Sequence, residues 1–279
     1  MMGGFSGNVI AITGAASGIG RATAVKLAGA HATLSLCDVS RERLRDTERL
    51  CRDAGAAVRS TAVDVSDPEA VNAWAADTHQ AFGKVNAIIN NAGVSLSGAV
   101  ADLSLEDFEW IMGINFWGVV HGTRAFLPYL RASGDGHIVN ISSLFGIIAM
   151  PGASAYNASK FAVRGFTESL SEELRLDNGP VRVTCVHPGG IDTNIVAGGR
   201  VTPSQSLGFE TVEQAARDFK RLARTSPEAA AEQIVRAMVR RRRRQLIGVD
   251  AWLLEKMQRI APVAYQNLMV AFARKSRRQ

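Results

Sequence analysis

The sequence predicts a doubly wound α/β domain, in which helices cover both faces of a parallel β-sheet. Short apolar segments alternate with longer amphipathic ones, the apolar segments carry almost no charge, and a glycine-rich turn follows the first of them. Strands that are apolar on both faces belong inside a parallel sheet. The 279 residues, 47% of them hydrophobic, suffice for one large domain with a sizeable core.

The first half of the chain predicts four strands separated by three helices. The third helix has the clearest boundaries, because Asp67 can cap its start, Pro68 suits its first position and Gly83 follows its end. The predicted strands span residues 8–13, 31–37, 57–63 and 85–89, and the helices span residues 18–30, 40–54 and 67–82.

The second half continues this alternation and then loosens. Two helices follow residue 210, the second of them starting at Ser226, and a final amphipathic segment at 251–274 is broken at Pro262. We divide the chain into one domain at 1–250 and a basic, amphipathic helical extension at 251–279. The other predicted elements are helices at 105–130 and 153–176, strands at 137–141, 181–186 and 245–249, and a flexible stretch at about 190–210.

Composition excludes several classes of protein. The three cysteines (Cys37, Cys51 and Cys185) form no CxxC pair, so we expect reduced, buried thiols rather than a disulfide framework. No apolar run reaches the ~20 residues of a transmembrane helix. The start of the chain shows no signal-peptide pattern. No metal-ligand spacing occurs, so we predict no metal, and we expect a cytoplasmic location.

A glycine-rich turn, TGAASGIG, occupies residues 13–20 directly after the first predicted strand. Glycine permits positive φ and lets an anion approach the backbone, while the helix that follows presents free N–H groups and the positive end of its dipole. The GxxxGxG spacing differs from the commoner GxGxxG dinucleotide fingerprint, and a plain turn is the alternative. The predicted phosphate cradle consists of Gly14, Ser17, Gly18, Ile19 and Gly20.

Asp38 ends the second predicted strand, twenty residues after Gly18. A carboxylate at this position can accept hydrogen bonds from both hydroxyls of an adenine ribose, and it repels a 2′-phosphate. The nearest basic residue after it is Arg41. We therefore predict NAD as the cofactor and NADP as the less favoured alternative. A solvated Asp at a strand end is the other interpretation.

Further motifs follow in order along the chain. They are Asn90-Asn91-Ala92-Gly93 after the fourth strand, Asn115 in the next helix, Ser142-Ser143 after the fifth strand, Tyr156-Asn157-Ala158-Ser159-Lys160 at a helix start, and Pro188-Gly189. With the glycine turn, they make residues 6–193 resemble the short-chain dehydrogenase/reductase family. This resemblance implies a Rossmann fold whose domain at 1–250 binds NAD and carries the catalytic site. It also implies a substrate loop at about 190–210, and a homodimer or homotetramer formed through the helices at 105–130 and 153–176.

The resemblance also implies site residues, one position at a time. The catalytic tetrad would be Asn115, Ser143, Tyr156 and Lys160. We choose Ser143 over Ser142 because it lies thirteen residues before Tyr156, the usual family spacing. The implied cofactor contacts are Asp64 and Val65 at the adenine, Asn91, Ala92 and Gly93 beside the ribose, Tyr156 and Lys160 themselves, and Pro188, Gly189, Ile191 and Thr193 at the nicotinamide end.

Hydride transfer at a carbinol carbon requires a matching proton transfer at its oxygen. Free tyrosine, with a pKa near 10, is a weak base at neutral pH, and Lys160 lies one helical turn from Tyr156. We expect the ammonium, with the positive nicotinamide ring, to lower that pKa. Ser143 would donate to the substrate oxygen, and by resemblance Asn115 would anchor a water that links Lys160 to solvent. His137 and His187 are interpreted as structural.

These residues predict an NAD-dependent oxidoreductase that interconverts a secondary alcohol and a ketone. One alternative is an NADPH-dependent reductase of a ketone or acyl-thioester, and another is a non-catalytic NAD-binding regulator or scaffold. Specificity is expected from residues 195–210 and from side chains near the site that are mainly apolar, which favours a hydrophobic small-molecule substrate. Those side chains are Leu144, Ile147, Met150 and Trp117.

The net charge of +6 is concentrated at the C-terminal end, where five arginines run from Arg240 to Arg244. A solvated helix end is the first interpretation, since cations suit the negative end of the helix dipole. Peripheral contact with anionic lipid, helped by Trp252, Leu253 and Leu254, is the second. Nucleic-acid binding is the third and is disfavoured, because no recognised reading module accompanies the charge.

Overall fold

The structure, a computed structural model, describes residues 4–204 and 211–276. The strands are β1 (Val9–Thr13), β2 (Thr33–Asp38), β3 (Val58–Ala62), β4 (Ala87–Asn90), β5 (Leu96–Ser97), β6 (Gly136–Ile141), β7 (Val181–Pro188), β8 (Arg200–Val201) and β9 (Arg244–Ile247). The helices are α1 (Gly18–Ala28), α2 (Arg41–Asp53), α3 (Pro68–Phe82), α4 (Leu105–Met112), α5 (Gly118–Ala132), α6 (Ser154–Leu176), α7 (Val212–Leu222), α8 (Pro227–Val239), α9 (Val249–Ile260) and α10 (Tyr265–Ser276).

Seven strands form one parallel sheet in the order β3-β2-β1-β4-β6-β7-β9. The order reverses between β1 and β4, so the chain winds outward in both directions from this pair. The predicted doubly wound α/β fold is therefore confirmed. In such sheets the carboxyl ends of the strands open a crevice at the reversal point, and this is where ligands bind.

Helices bury the sheet on both faces. One apolar cluster joins α1, α2 and α8 to the sheet through residues such as Leu27, Leu44 and Ile234. The opposite cluster joins α3, α5 and α6 through Trp74, Phe126 and Leu170. The near-continuous apolar character of the strands follows from this two-sided burial.

The predicted boundary signals of α3 are present in the structure. The Asp67 side chain accepts hydrogen bonds from the backbone N–H groups of Glu69 (2.9 Å) and Ala70 (3.2 Å). Gly83 ends the helix with φ of +74°, in the left-handed region.

The expected single helix at 105–130 is wrong. It is interrupted between α4 and α5 by a π-helical segment, Gly113–Trp117, and it continues to Ala132 with Pro128 inside α5. Such π-helical turns are frequent at functional sites. The extra residue per turn is invisible to a search for 3.6-residue periodicity, because the apolar pattern on either side is preserved.

The stretch at about 190–210, expected as a flexible substrate loop, contains one short strand, β8, that the sequence did not predict. β8 pairs in parallel with β5, which forms a separate two-stranded sheet. The Arg200 guanidinium lies 4.0 Å from the Trp110 ring centroid, and its Nη1 lies 2.7 Å from Asp107 Oδ1. Residues 205–210 of the predicted loop lie outside the described residues, as do 277–279 of the predicted extension.

The first four arginines of the run are exposed at and just after the end of α8, as a solvated helix end predicts, and the fifth is not. α8 ends at Val239, Arg241 adopts φ of +50°, and Arg244 begins β9. Arg244 is half-buried, and its Nη1 lies 3.7 Å from the buried carboxylate of Glu255 on α9. In the described part of the chain no helix is long and apolar enough to cross a membrane.

Phe126→Ala should destabilise the fold by about 3–5 kcal/mol, because a fully buried ring would leave a cavity. The Phe126 ring makes an edge contact with Trp74 at 4.9 Å between centroids. Leu50→Ala on α2 is the control, since its side chain is 38% exposed, and it should cost under about 1 kcal/mol. Urea unfolding of both variants measures this difference, and equal losses of stability would contradict the assigned packing.

Candidate active site

The glycine turn lies at the carboxyl end of β1, where the order of the sheet reverses. Gly14 and Gly18 have φ of +63° and +52°, a region that side chains disfavour. A Cβ on Gly14 would lie 2.7 Å from the Ala92 Cα, and a Cβ on Gly20 would overlap the Gly14 carbonyl oxygen. These glycines therefore let the turn pack against the segment after β4. Ser17 lies at the N-cap of α1, and Gly18 and Ile19 begin the helix.

Asn91 joins the glycine turn to the segment after β4. Its amide Nδ2 donates to the carbonyl oxygens of Thr13 (2.9 Å) and Gly14 (3.1 Å). The Thr13 hydroxyl accepts hydrogen bonds from the backbone N–H groups of Asn91 and Ala92, both at 2.9 Å. These contacts fix the backbone on both sides of the crevice.

The predicted adenine-side residues lie at the ends of β2 and β3. Asp38 Oδ2 accepts the backbone N–H of Ala16 (3.0 Å), and its Oδ1 accepts that of Ser40 (2.9 Å), so the carboxylate is already tied to the glycine turn. Asp64 is exposed and accepts two hydrogen bonds from Ser66. Val65 is 5% exposed and packs against the position of Gly118.

Tyr156 and Ser143 approach each other from α6 and the end of β6. The Ser143 hydroxyl is close enough to the phenol to favour its ionised form and so to counter part of the rise in the Tyr156 pKa, and the Ser143 Oγ accepts the backbone N–H of Phe145 at 3.0 Å. Ser142 is turned away, because its hydroxyl donates to the Lys160 carbonyl oxygen within α6. The geometry thus brings Ser143, and not Ser142, to the phenol.

Lys160 is buried, with 3% exposure, one turn along α6 from Tyr156. Its Nζ donates to the Ile141 carbonyl oxygen at 3.1 Å and lies 5.8 Å from the centroid of the Tyr156 ring. Burial lowers the pKa of Lys160 to about 8, because an ammonium loses hydration there. A Cβ on Gly93 would lie 3.4 Å from this Nζ, so Gly93 borders the site.

The expected low pKa of Tyr156 is not found in the chain without cofactor. Burial raises the pKa of the phenol, and the neighbouring Ser143 hydroxyl opposes that rise. Desolvation disfavours the phenolate, and the Lys160 Nζ lies 5.8 Å from the ring centroid. A lower pKa would therefore require a second positive charge at the site.

Asn115 lies in the π-helical segment and is completely buried. Its Oδ1 accepts the Val94 backbone N–H (2.8 Å), and its Nδ2 donates to the Val94 carbonyl oxygen (3.0 Å) and to the Ser159 hydroxyl (3.1 Å). The side chain thus connects the segment after β4 with α6, on the Lys160 side of Gly93.

The Pro188-Gly189 turn is held by a residue that motif analysis missed. Asp250 Oδ2 accepts the Gly190 N–H at 2.7 Å, and the carboxylate fills the space where a Cβ of Gly189 would lie. Gly189 is therefore required for close packing. The only signal in the sequence was an Asp near the start of a helix, which is too common to interpret.

The other residues expected at the nicotinamide end lie next to this turn. Ile191 is 3% exposed and forms an isolated bridge with Thr225. Thr193 lies above the glycine turn, with its Cγ2 3.1 Å from the position of a Cβ on Gly18. Segments that are 175 residues apart in the sequence thus meet at this crevice.

His187 and His137, interpreted as structural from the sequence, are both largely removed from solvent. His187 is fully buried, its Nδ1 lies 3.0 Å from the Ser143 carbonyl oxygen, and burial lowers its pKa to about 3. His137 Nε2 lies 2.8 Å from the Thr184 hydroxyl, and burial lowers its pKa to about 4. Among the described residues, no group of three or more His, Cys, Asp or Glu could hold a metal.

Three of the four apolar residues expected at the substrate side belong to one cluster next to Ser143, with Met150 partly buried against it, and the fourth does not. Leu144 and Ile147 are buried in a cluster that also contains Tyr265 and Met269 of α10. Trp117 instead lines a groove with Pro68 and residues of α3 and α5, and it is 50% exposed. Its expected position near the substrate is therefore not supported.

The fold and this site define an oxidoreductase of the Rossmann type. The family described as short chain dehydrogenase matches residues 8–204, and the chain belongs to that family. The predicted family is thus confirmed. The Mycobacterium tuberculosis protein named "Putative oxidoreductase SadH" is 47% identical over 272 residues, which cover 97% of this chain and 96% of that protein.

Solved structures agree with this membership. A short-chain dehydrogenase/reductase from Burkholderia phymatum, in complex with NAD, is 34% identical with a TM-score of 0.84, covering 91% of this chain and 94% of its own. A short chain dehydrogenase from Mycobacterium paratuberculosis, bound to NAD, is 28% identical with a TM-score of 0.75, covering 88% and 97%. Both neighbours support the predicted NAD cofactor.

Lys160→Met should stabilise the protein at neutral pH, by about 1–3 kcal/mol, because it removes a buried ammonium. The pKa of Lys160 is lowered from 10.5 to about 8 in the folded chain. Between these values the unfolded chain binds a proton that the folded chain does not, so wild-type stability rises with pH in that window. Below pH 8 both states are protonated, and the full penalty applies.

Urea unfolding at pH 7 and at about pH 10 measures this effect for wild type and variant. The advantage of Lys160→Met should shrink between the two values. A difference in stability that does not change with pH would contradict the assigned burial of the ammonium.

Proposed function

We propose that the chain is an NAD-dependent oxidoreductase that interconverts a secondary alcohol and a ketone, with Tyr156 as the general acid and base. The observation that carries this proposal is the meeting of Tyr156, Ser143 and Lys160, in the fold of a family whose solved relatives include complexes with NAD. Each side chain has a separate chemical role.

The crevice fits a dinucleotide. Gly14 and Gly20 leave no side chain over the turn, and the first turn of α1 (GIGR) contains no carboxylate that would repel a pyrophosphate. Asp38, fixed by Ala16 and Ser40, would accept hydrogen bonds from the adenine ribose. Bound NAD would supply the hydride acceptor, and the protein supplies orientation and the proton path. The remaining cofactor contacts are proposed at Ser17, Gly18, Ile19, Asp64, Val65, Asn91, Ala92, Gly93, Pro188, Gly189, Ile191 and Thr193.

Tyr156 exchanges the proton at the substrate oxygen. Because burial raises its pKa, the phenol is in the protonated form that ketone reduction needs at neutral pH. Alcohol oxidation needs the phenolate, so it depends on positive charge nearby and should gain at alkaline pH. Ser143, which lies beside the phenol, donates to the same substrate oxygen and stabilises its developing charge.

Lys160 and Asn115 complete the tetrad. With a pKa of about 8, the Lys160 side chain is mostly a cation at neutral pH and favours the phenolate electrostatically. The Nζ also borders Gly93, where it can hydrogen-bond a ribose hydroxyl. Asn115 anchors the segment after β4 and α6, and its backbone carbonyl can hold a water that leads from Lys160 to solvent.

The substrate class is a hydrophobic alcohol or ketone. Leu144, Ile147 and Ile148 follow Ser143 directly and are buried against α9 and α10. The β5–β8 pairing covers the same side of the crevice, since Gly98 also bridges to Ala153 just before α6. These apolar surroundings favour a substrate that presents apolar surface rather than a charged group.

A homodimer or homotetramer is part of the proposal. The aromatic side chains of Trp117, next to α5, and Phe161, on α6, are 50% and 40% exposed. Exposed aromatic rings on long helices are typical of surfaces that become buried between subunits.

Tyr156→Phe should lower turnover by about 10²–10⁴-fold, because the proton exchanger is lost while the ring is kept. NAD affinity, measured by fluorescence titration, should stay close to that of wild type. Tyr129→Phe is the matched control, since Tyr129 stacks on His79 outside the site. A Tyr156→Phe enzyme with normal turnover would refute the assignment. A wild type without turnover on a panel of secondary alcohols and ketones would favour the regulator alternative.

Asp38→Asn should raise the ratio of kcat/KM for NADP over NAD by about ten-fold or more, because it removes a like charge from beside the 2′-phosphate. The amide keeps the size of the side chain and one acceptor for the Ala16 and Ser40 N–H groups. Following NADH and NADPH absorbance with one substrate measures the ratio. If wild type already prefers NADPH, the role of Asp38 and the cofactor assignment are both wrong.

A further inference from the structure

The two terminal helices expose an unusual concentration of large apolar side chains. Of the fifteen large hydrophobic side chains exposed in the described part of the chain, seven lie between residues 249 and 270. We call the exposed side of α9, α10 and the segment between them the terminal face. Its main apolar members are Trp252 (53% exposed), Leu253 (55%), Ile260 (84%), Val263 (73%) and Leu268 (53%).

This exposure comes from the way the helices are fixed to the domain. The opposite side of both helices packs Ala251, Tyr265 and Met269 against Leu144 and Ile147. The Tyr265 hydroxyl also accepts the Ala149 backbone N–H at 3.1 Å. The helices are therefore held by one side, and the terminal face stays on the outside.

The apolar residues of α9 share one helical face. Trp252, Leu253, Lys256 and Ile260 follow the spacing that brings side chains together on a helix. Glu255 lies on the buried side, with its side chain 5% exposed. α9 thus has an inner side that packs against the domain and an outer side that is both apolar and basic.

Carboxylates are turned away from the terminal face. Residues 240–279 contain eleven Lys or Arg and only two Asp or Glu. Asp250 is bound to the Gly190 N–H at 2.7 Å, and Glu255 is surrounded by Arg244, Lys256 and Arg259. The side chains of Lys256 and Arg259 are 51% and 58% exposed. The outer surface therefore combines apolar groups with cations.

We propose that the terminal face docks onto an anionic lipid bilayer. A basic, amphipathic helical surface with an exposed Trp lies at the boundary between headgroups and acyl chains, where apolar side chains are buried and cations meet phosphates. A second copy of the chain suits this face less well, because a two-fold interface would set Lys256 and Arg259 against the same cations. The docking does not depend on the reaction proposed above.

Co-sedimentation of the full chain with vesicles tests the proposal. The vesicles contain phosphatidylcholine with or without about 30% phosphatidylglycerol, at about 0.1 M and about 1 M NaCl. Wild type should bind the anionic vesicles at low salt, bind less at high salt, and bind pure phosphatidylcholine at least about ten-fold more weakly. Failure to bind the anionic vesicles overturns the proposal.

Two variants identify the surface. Trp252→Ser combined with Ile260→Ser should weaken vesicle binding by about ten-fold or more, since two apolar anchors are lost. Lys256→Glu combined with Arg274→Glu, a change at an exposed residue of α10, should do the same on anionic vesicles only. The matched control is Val39→Ser with Val100→Ser, two apolar residues that are 66% and 70% exposed elsewhere, and it should bind like wild type. Equal binding by all variants overturns the proposal.

Three further measurements separate bilayer docking from self-association and from misfolding. Trp252 fluorescence should shift to shorter wavelength on anionic vesicles, and this shift should be missing in Trp252→Phe. Sedimentation equilibrium should give wild type and the Trp252→Ser, Ile260→Ser variant the same number of subunits. A variant that loses subunits shows that a second copy covers the terminal face, which overturns the proposal. Near-ultraviolet circular dichroism spectra that match wild type exclude misfolding as the cause of lost binding. The charge variant is an independent check, because it should lose binding to anionic vesicles without removing an apolar side chain.

Discussion

The site depends on one unfavourable placement, the burial of the Lys160 ammonium. Its Nζ has the Ile141 carbonyl oxygen as a hydrogen-bond partner and the Tyr156 ring nearby, and burial lowers its pKa to about 8. A cation placed in this way destabilises the fold, and the surrounding packing must offset that cost. The same desolvation strengthens the electrostatic effect of the ammonium on the neighbouring phenol. The fold therefore loses stability at this position, and the site gains a stronger electrostatic field.

The surrounding structure fixes the elements that carry this group. Asn90 Nδ2 donates to Asn140 Oδ1 at 2.8 Å, and Asn140 Nδ2 donates to the Thr167 hydroxyl at 3.0 Å, so buried amides join β4, β6 and α6. Asn115 then connects α6 with the segment after β4. A buried polar network holds secondary-structure elements in one arrangement when its donors and acceptors are paired with one another. The crevice is consequently built from elements that are held in fixed positions. Its proposed substrate side is bordered by the short β5–β8 pair.

The C-terminal helices combine two physical roles in one segment. Their inner side completes the apolar cluster behind Ser143 through Tyr265 and Met269, which makes them part of the domain in packing terms. Their outer side leaves Trp252 and Ile260 exposed beside cations. A segment that packs behind Ser143 and also faces outward can link the surroundings of the protein to the proposed substrate side.

Local chemistry made part of this protein predictable. Asp67, Pro68 and Gly83 mark α3 through interactions within a few residues, and the glycine turn, the Tyr156–Lys160 spacing and the apolar strands are equally local. They sufficed for the fold class, the family and the residues that the structure brings together around Tyr156. The predicted roles of those residues rest on the resemblance and stay predictions.

Long-range contacts decided the rest. The π-helical segment at Asn115, the β5–β8 pairing and the Asp250 carboxylate behind Gly189 all depend on partners distant in the sequence. The raised pKa of Tyr156 has the same origin, because desolvation is set by everything packed around a group rather than by its neighbours along the chain. The sequence by itself determined the main strands and helices and the chemical groups that they carry. Only the tertiary structure decided how deeply those groups are buried and what each one touches.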